Sequence, residues 1–260
     1  MKSDELCLPS TSSGPGAPLP DARILSIAIV THNREGKLQK LIRSILESQQ
    51  IVARLSEIVI VDDSPLRTEL SSDFPGVIDY VWVPYRIFIT RAKNIAWRRT
   101  TAPLILFIDD DNIVNSDSVL HLLDIMRKYP AIGAVMPSVA YLNHPSRIWV
   151  YSAPFRQGRW SMNLMGRNTI ENVIPDKDLL DTDALPNAFI IRRSVLISIR
   201  GFDEEFIYNN SCIRQQPAEV QVHCKPRQCQ YWAEHYRHGS FGIQYPFLFL
   251  LSTAHLSPFE

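Results

Sequence analysis

The sequence has little of what marks several protein classes. Only four of its 260 residues are cysteine, too few for a disulfide-stabilised secreted scaffold. Lys and Arg together number 27, as do Asp and Glu, so no basic excess predicts nucleic-acid binding. Apolar residues make up 45% and charged residues 21%, as in an average globular protein. This composition excludes disordered, collagen-like and coiled-coil proteins.

Long apolar segments are also missing. The longest run is PFLFLL at 246–251, far short of the ~20 residues that span a bilayer. The first twenty residues are acidic and then rich in Pro, Gly and Ser, without the apolar stretch of a signal peptide. We therefore expect a cytoplasmic protein with no transmembrane segment, and we leave contact with a membrane surface open.

Composition divides the chain into three parts. We predict a flexible leader at 1–22, a main domain at 23–207 and an atypical, poorly ordered tail at 208–260. The tail holds three of the four cysteines and four of the seven histidines. Their spacing leaves too little chain for a zinc finger, so we do not predict a zinc site.

The main domain alternates between apolar runs and amphipathic segments. The predicted strands are 24–30, 57–64, 80–85, 103–112 and 131–139. The predicted helices between them are 36–49, 91–100 and 116–129, the last one capped by Ser116 or Asp117. A further strand and short helix are expected within ALPNAFIIRRSVLISIR. This order predicts an α/β fold with a mainly parallel central sheet flanked by helices.

Polar clusters follow three of the predicted strands. They are THNR at 31–34, VDDS at 61–64 and DDDN at 109–112. Ligands of such sheets bind beyond the carboxyl ends of the strands, and parallel strands end at the same edge. The sequence therefore predicts that all three clusters meet at one binding site.

The three adjacent carboxylates of Asp109, Asp110 and Asp111 repel one another and call for a positive partner. Mg²⁺ or Mn²⁺, which prefers oxygen ligands and bridges carboxylates to a diphosphate, would supply the charge. The alternative is a solvated acidic turn that caps the next helix, assisted by Asn112. Because the cluster ends a buried strand beside a second acidic pair, we favour the metal.

The second acidic pair is Asp62 and Asp63. A carboxylate here can accept a hydrogen bond from a nucleotide base or a ribose hydroxyl. The alternative is a local turn in which it bonds the backbone around Ser64. As a strand-end residue, Asp62 is expected to lie outside the core. Thr31, Asn33 and Arg34 after the first strand either cap the next helix or contact nucleotide and phosphate.

A G-x-G-x-x-G turn after the first strand is absent, which argues against a nicotinamide or flavin dinucleotide fold. A nucleotidyltransferase is a weakly supported candidate function. The loop that binds its nucleoside triphosphate would be rich in glycine, and THNREGK has only one. A second candidate function is a protein that binds the donor of a group-transfer reaction but does not itself transfer the group.

In order and spacing, these segments resemble the family 2 glycosyltransferases. The resemblance rests on THNR, VDDS, RAKN, FIDDDN and GFDEEF, and it covers about Ile24 to Phe206. It implies the GT-A fold, a nucleotide-sugar donor and a divalent metal, Mn²⁺ or Mg²⁺. The implied reaction moves a sugar, with inversion, to a hydroxyl of a glycan, a lipid-linked molecule or another acceptor.

The resemblance also implies roles for individual residues. Asp109 and Asp111 are similar to the outer pair of the family's DXD motif, with Asp111 as the direct metal ligand. The implied nucleotide-binding residues are Thr31, Asn33, Arg34, Asp62, Asp63, Arg91, Asn94 and Asp110, with Asp62 in the base-recognising position. The sequence departs from the family at three points: Lys93 precedes Asn94, the usual upstream glycine is missing, and Asn187 stands where glycine is usual.

The catalytic base is the weak point of the resemblance. GFDEEF resembles the turn before the catalytic-base helix, so Asp203, Glu204 and Glu205 are the candidates. Family members continue with an acidic stretch, whereas this chain has Asn-Asn-Ser at 209–211. We therefore expect binding of donor and metal with slow or absent transfer. A frameshift, a fusion or divergence would each explain the unusual tail.

Overall fold

The computed structural model describes residues 23–70, 74, 76–154, 163–170, 179–204 and 221–233, with only the backbone at 170 and 221–233. The predicted leader and most of the predicted tail, including Glu205 and residues 209–211, lie outside this part. The three-part division of the chain therefore stays a prediction.

Eleven strands and five helices are assigned within the described residues. The strands are β1 (Leu25–Thr31), β2 (Leu55–Asp62), β3 (Ile78–Trp82), β4 (Leu104–Asp109), β5 (Asn112–Ile113), β6 (Ile132–Tyr141), β7 (His144–Val150), β8 (Thr169–Ile170), β9 (Leu180–Asp181), β10 (Ala188–Arg192) and β11 (Gln221–Ala233). The helices are α1 (Glu35–Leu46), α2 (Gln49–Val52), α3 (Phe88–Arg99), α4 (Ser116–Lys128) and α5 (Arg193–Ile199).

The central sheet has the strand order β3-β2-β1-β4-β10-β6-β11-β5. Strand β1 runs parallel to β2 and β4, and β2 runs parallel to β3, whereas β10 is antiparallel to both β4 and β6. Apart from the half-buried Val30, the apolar residues of β1, β2 and β4 are buried, as expected of parallel strands covered on both faces. The predicted α/β fold with a mainly parallel sheet is confirmed.

Apolar residues recur at helical spacing along α1, from Leu38 to Leu46, and this row faces the core, with Leu46 half-buried at its end. Leu38, Leu41, Ile42 and Ile45 are all fully buried in the main core. Burial of an aliphatic side chain typically contributes ~1.5–3 kcal/mol, so this row fixes α1 against the sheet and holds the loop after β1 in place.

The predicted start of α4 at Ser116 is right, but its predicted cap and the predicted start of α3 are wrong, both because the capping side chain lies outside the periodic pattern. Helix α4 is capped by Asn115 rather than by Ser116 or Asp117: its side chain accepts hydrogen bonds from the N–H groups of Asp117 at 2.9 Å and Ser118 at 3.4 Å. Helix α3 begins at Phe88, three residues before the predicted start. Its first N–H groups are bound by an aspartate from a distant loop, described below.

Two strands also differ from their predictions. Strand β3 spans Ile78–Trp82 instead of 80–85, and it ends before Pro84, which has no N–H to donate to a ladder. Strand β7 pairs with β6 as a hairpin that was not predicted. Its first four residues are exposed and include Pro145, so it lacks the apolar alternation that predicts a strand.

None of the helices among the described residues is both long enough and apolar enough to cross a lipid bilayer.

Candidate functional site

The parallel register brings the three polar clusters to one edge of the sheet. At the ends of β1 and β2, Thr31 is the partner of Asp62. At the ends of β1 and β4, Val30 is the partner of Asp109. The residues after these strands therefore lie side by side, as predicted from the parallel arrangement.

Asp110 is held by two side chains from the end of β1 and the segment after it. It is 2% exposed and accepts hydrogen bonds from Thr31 Oγ1 at 2.7 Å and from Arg34 Nη1 at 2.8 Å. Burial raises the pKa of Asp110, against the opposing effects of the Arg34 charge and these hydrogen bonds. Asp110 thus ties the loop after β4 to the loop after β1.

Asp109 lies above a buried cation. Burial raises the pKa of Asp109 to about 6; the charge of Lys93 opposes this rise, while Asp111 and Asp110 add to it. Lys93 is 4% exposed, and burial lowers its pKa while Asp109 raises it. A buried charge is costly unless it is paired, so Lys93 and Asp109 stabilise each other.

Three aromatic rings surround Lys93. Its Nζ lies 5.8 Å from the ring centroid of Phe107, 5.5 Å from that of Phe189 and 6.0 Å from that of Phe202. These distances permit cation–π attraction. The rings come from β4, β10 and the turn after α5, so they fix Lys93 beneath the site.

Asp111 is the more accessible neighbour of Asp110. Its side chain is 15% exposed, against 3% for Asp110. Its carboxylate lies 3.5 Å from Arg34 Nη1 and 4.0 Å from Lys37 Nζ, both longer than the bonds to Asp110. A ligand can therefore reach the carboxylate of Asp111 more readily than that of Asp110.

Two buried amide oxygens beside Asp109 have no hydrogen-bond donor among the described residues. They are Oδ1 of Asn112 and Oδ1 of Asn187. Asn112 Nδ2 donates to the carbonyl of Asp109 at 2.8 Å, and the carbonyl of Asn187 accepts from the N–H of Asp109 at 3.1 Å. Buried polar atoms without a partner are uncommon. Asn187 also has φ 70°, a left-handed conformation that explains why glycine is usual there.

The described residues contain no group of three or more His, Cys, Asp or Glu side chains arranged to hold a metal. The donor set at the end of β4 nevertheless fits a hard cation, because carboxylate and amide oxygens are the ligands that Mg²⁺ and Mn²⁺ prefer. Asp109 and Asp111, with the amide oxygens of Asn112 and Asn187, are the residues available to hold one.

Asp62 is fully buried, so the expectation that it lies outside the core is wrong. Its carboxylate accepts hydrogen bonds from the N–H and hydroxyl of Ser64, from the N–H of Thr68 at 3.3 Å and from the hydroxyl of Tyr80 at 2.5 Å. Burial alone would raise the pKa of Asp62, but these hydrogen bonds together lower it. The local turn that was the alternative prediction for Asp62, in which its carboxylate bonds the backbone around Ser64, is therefore present.

The carboxylate of Asp63 joins three segments. It accepts hydrogen bonds from the N–H groups of Ile87 at 2.9 Å and Phe88 at 3.1 Å, which begin α3. Its other oxygen lies 2.8 Å from Nδ1 of His32. Asp63 thereby caps α3 from a distance and supports Phe88 at φ 62°, near where the family's glycine is missing.

His32 and Asn33 complete the edge after β1. The His32 ring lies between Asp63 and Asn33, whose Nδ2 is 3.2 Å from His32 Nε2. The N–H of Asn33 donates to the hydroxyl of Ser64 at 2.7 Å. His32 was not among the predicted site residues, although its position after β1, beside the acidic pair that ends the neighbouring strand, could have indicated it.

Arg91 and Asn94 contact a different part of the chain. Asn94 Nδ2 donates to the carbonyl of Phe202 at 2.9 Å and to Glu204 at 2.8 Å, and its Oδ1 accepts from the N–H of Phe202 at 2.9 Å. Arg91 lies 3.4 Å from the Glu204 carboxylate. These contacts hold the turn at 201–204 against α3.

Gly201 is required where this turn approaches α3. It has φ +82°, and a Cβ there would meet Asn94 Oδ1 and, at 2.8 Å, Trp97 Nε1. We predict that Gly201→Ala costs about 2–3 kcal/mol in the free energy of unfolding, measured by urea denaturation. Gly36→Ala in α1 is the comparison. A Cβ at this position would have no atom within 4 Å, so the change should raise the free energy of unfolding by about 0.5–1 kcal/mol. Equal effects of the two changes would contradict this account of the turn.

Residues 26–200 match the family model described as Glycosyl transferase family 2. This chain belongs to that family. No curated protein sequence is significantly similar to the chain. The match includes all the residues of the clusters after β1, β2 and β4.

Solved structures with a similar fold are GT-A glycosyltransferases. GalNAc-T7, crystallised with UDP, GalNAc and Mn²⁺, superposes with a TM-score of 0.67 at 17% identity, covering 86% of this chain and 45% of that one. Residues 1–349 of S. aureus TarS, also crystallised with UDP, superpose with a TM-score of 0.53 at 15% identity, covering 81% and 60% respectively. The chain has the GT-A fold, and it spans about half the length of these proteins.

Proposed function

We propose that this chain binds a nucleoside-diphosphate sugar and transfers the sugar to an acceptor hydroxyl. The observation that carries the proposal is the meeting of Thr31 and Arg34 with Asp110 and Asp111 at the end of parallel strands in a family 2 chain. Arg34 and Lys37 supply positive charge for a diphosphate beside the carboxylates. The acceptor is a glycan, a lipid-linked molecule or another hydroxyl compound.

A uridine nucleotide is the donor class to test first, because GalNAc-T7 and TarS were both crystallised with UDP. His32, Asn33 and the buried acidic pair Asp62 and Asp63 would shape the base and ribose pocket. Because the hydrogen bonds of Asp62 are directed to its own turn, we assign it the support of this pocket.

A divalent cation, Mn²⁺ or Mg²⁺, held by Asp109 and Asp111, would stabilise negative charge on the departing diphosphate. The acceptor oxygen forms a bond to the anomeric carbon as the bond from that carbon to the diphosphate breaks, and the hydroxyl proton passes to a base. Attack from the face opposite the diphosphate inverts the configuration.

The described carboxylates near the predicted base position support a chain with weak transfer activity. Glu204 accepts from Asn94 and also lies 3.4 Å from Arg91 and 3.9 Å from Arg98. These contacts tie Glu204 to α3, so we assign it the role of holding the turn. This observation favours the second candidate function, a donor-binding module that transfers slowly or not at all.

Donor binding is tested by thermal unfolding with a panel of nucleoside diphosphates, each with and without Mn²⁺. A ligand at 100 times its dissociation constant should add ~2.7 kcal/mol to the free energy of unfolding. We expect stabilisation by UDP that is larger with Mn²⁺. A panel in which every nucleotide leaves the unfolding temperature unchanged would refute the proposed function.

The missing base is tested by restoring acids at 209 and 210, which lie outside the described residues. Replacing Asn209 by Glu and Asn210 by Asp is expected to raise sugar turnover by ~10²–10⁴-fold, the usual contribution of a general base. Replacement of both by Gln is the control. Fast turnover by the unchanged chain, lost in Glu205→Gln, would show instead that the turn itself supplies the base.

A further inference from the structure

We propose that Asn187 selects the sugar of the donor, because its side-chain oxygen accepts a hydrogen bond from a hydroxyl or amide N–H group of the bound sugar. This inference rests on the proposed function and names a residue that determines its donor specificity. The chain thereby discriminates between donors that share one nucleotide but differ in the sugar.

The order of the strands indicates where the sugar of a bound donor lies. In the proposed function, base and ribose lie at the loops after β1 and β2, and the diphosphate lies at the acidic cluster that ends β4. In the sheet these strands follow one another as β2-β1-β4, and β10 comes next. Neighbouring strands lie about 4.8 Å apart. A donor that runs along this edge therefore carries its sugar, beyond the diphosphate, to the adjacent end of β10.

Asn187 lies at this edge, directly before β10. Strand β10 runs antiparallel to β4, with Ala188 as the partner of Ile108, so its first residues lie beside the last residues of β4. The carbonyl of Asn187 accepts a hydrogen bond from the N–H of Asp109 at 3.1 Å. Asn187 is therefore joined by its backbone to the acidic cluster, on the side away from the nucleotide loops.

The side chain of Asn187 has a polar atom that awaits a hydrogen-bond donor. Its Oδ1 is buried and accepts no hydrogen bond from the described residues. A buried acceptor without a donor destabilises the folded protein, and folded proteins retain few such atoms. A sugar carries several hydroxyl donors, so a bound sugar would supply the missing hydrogen bond.

The backbone at Asn187 is strained as well. The N–H of Ala188 donates to the carbonyl of Pro186 at 2.9 Å, which makes Asn187 the central residue of a three-residue turn. With φ 70° at its centre, this turn is the rare and strained form of the γ-turn. Glycine would adopt this conformation at lower cost, so the amide side chain at this position indicates a function of its own.

The amide of Asn112, whose Oδ1 also has no donor among the described residues, stays assigned to the cation. It follows Asp111 directly along the chain, and its Nδ2 donates to the carbonyl of Asp109 at 2.8 Å. Asn187 comes from the next strand of the sheet, one step farther from the nucleotide loops. A ligand of the cation should affect the binding of UDP and UDP-sugars alike, whereas a contact of the sugar should affect UDP-sugars alone.

The test compares UDP with UDP-glucose, UDP-galactose, UDP-N-acetylglucosamine and UDP-N-acetylgalactosamine. Each is titrated into the full chain with Mn²⁺ by isothermal titration calorimetry. In Asn187→Gly, the dissociation constant of the UDP-sugar that binds the unchanged chain most tightly is expected to rise by about 5–10-fold, the effect of one neutral hydrogen bond. The dissociation constant of UDP should stay unchanged, and the differences among the four sugars should shrink.

Arg200→Gly is the matched control. Arg200 also has a left-handed backbone, with φ 62°, but it ends α5 and lies outside the polar clusters of the site. The same change to glycine should leave all five dissociation constants unaltered. Thermal unfolding of both variants verifies the fold, which glycine accommodates at either position.

UDP-sugars that lack a single hydroxyl or amide group identify the partner of Asn187. In the unchanged chain, the analogue without the partner group should bind as weakly as the complete sugar binds to Asn187→Gly. Removal of both partners should have no further effect, because the two changes delete the same hydrogen bond.

An Asn187→Gly variant that binds UDP and UDP-sugars more weakly by the same factor would overturn this inference, because Asn187 would then act on the cation or the diphosphate, and the proposed function would stand. Unchanged affinity for all four sugars would overturn it as well. If neither UDP nor any UDP-sugar binds the unchanged chain, the proposed function fails and the inference fails with it.

Discussion

Replacement of Asp111 by asparagine is expected to weaken binding of UDP in the presence of Mn²⁺ by about 100-fold, measured by isothermal titration calorimetry. Asp111 is more exposed than Asp110, and the nitrogens of Arg34 and Lys37 lie at 3.5 and 4.0 Å from it, so its oxygens are accessible to a metal. Affinity for UDP without metal should stay the same or rise, because the phosphates lose a like-charged neighbour.

Asp117→Asn is the matched control for this change. Asp117 is exposed in the first turn of α4, six residues along the chain from Asp111, and the same carboxylate-to-amide change should leave both affinities unaltered. An Asp111→Asn variant that keeps the metal-dependent affinity would refute the assignment of the metal site to the end of β4.

Replacement of Asp62 by alanine is expected to lower the free energy of unfolding by roughly 3 kcal/mol or more. The change would leave the N–H of Ser64 and the hydroxyls of Ser64 and Tyr80 without the carboxylate that accepts from them. The N–H of Thr68 would keep the hydroxyl of Tyr80 as an acceptor, at 3.1 Å. For a domain of this size, such a loss lowers the unfolding temperature by about 6–12 °C.

Asp79→Ala provides the comparison, since Asp79 makes a bidentate but solvent-exposed pair with Arg99 at 2.6 and 3.0 Å. Exposed pairs contribute less than about 1 kcal/mol. An Asp62 variant no less stable than the Asp79 variant would contradict the structural role of Asp62.

The contribution of Asp62 to the free energy of unfolding should also depend on pH. Its pKa in the folded protein is lowered from 3.8, so its stabilising contribution is complete above pH 3.8 and is lost as the pH falls through the folded value. The difference in stability between the unchanged chain and Asp62→Ala is therefore expected to be constant near neutral pH and to shrink in strong acid.

The convergence of the three polar clusters could be predicted from the sequence, because it depends only on the direction of the strands. Continuous apolar runs predict buried parallel strands, and parallel strands end at one edge, so Thr31, Asp62 and Asp109 had to become neighbours. Helical periodicity likewise placed Leu38 and Leu41 in the core, because it follows from local geometry alone.

The rest depends on contacts between distant segments, which periodicity does not encode. Burial of Asp62 follows from the hydroxyl of Tyr80 on the next strand. The early start of α3 follows from its capping by Asp63. The environment of Lys93 is formed by rings from three separate elements. In each case the partners of a polar side chain are distant in sequence and come into contact with it only in the folded sheet.

Hydrogen–deuterium exchange of the full chain with and without UDP and Mg²⁺ tests the central claim most directly. A nucleotide bound at the proposed site should slow exchange of backbone amides in three separate segments, 31–37, 62–68 and 109–114, which follow β1, β2 and β4. Protection in all three, reduced in Asp111→Asn, is the predicted result. Protection confined to another part of the chain, or none in the presence of saturating ligand, would contradict the account.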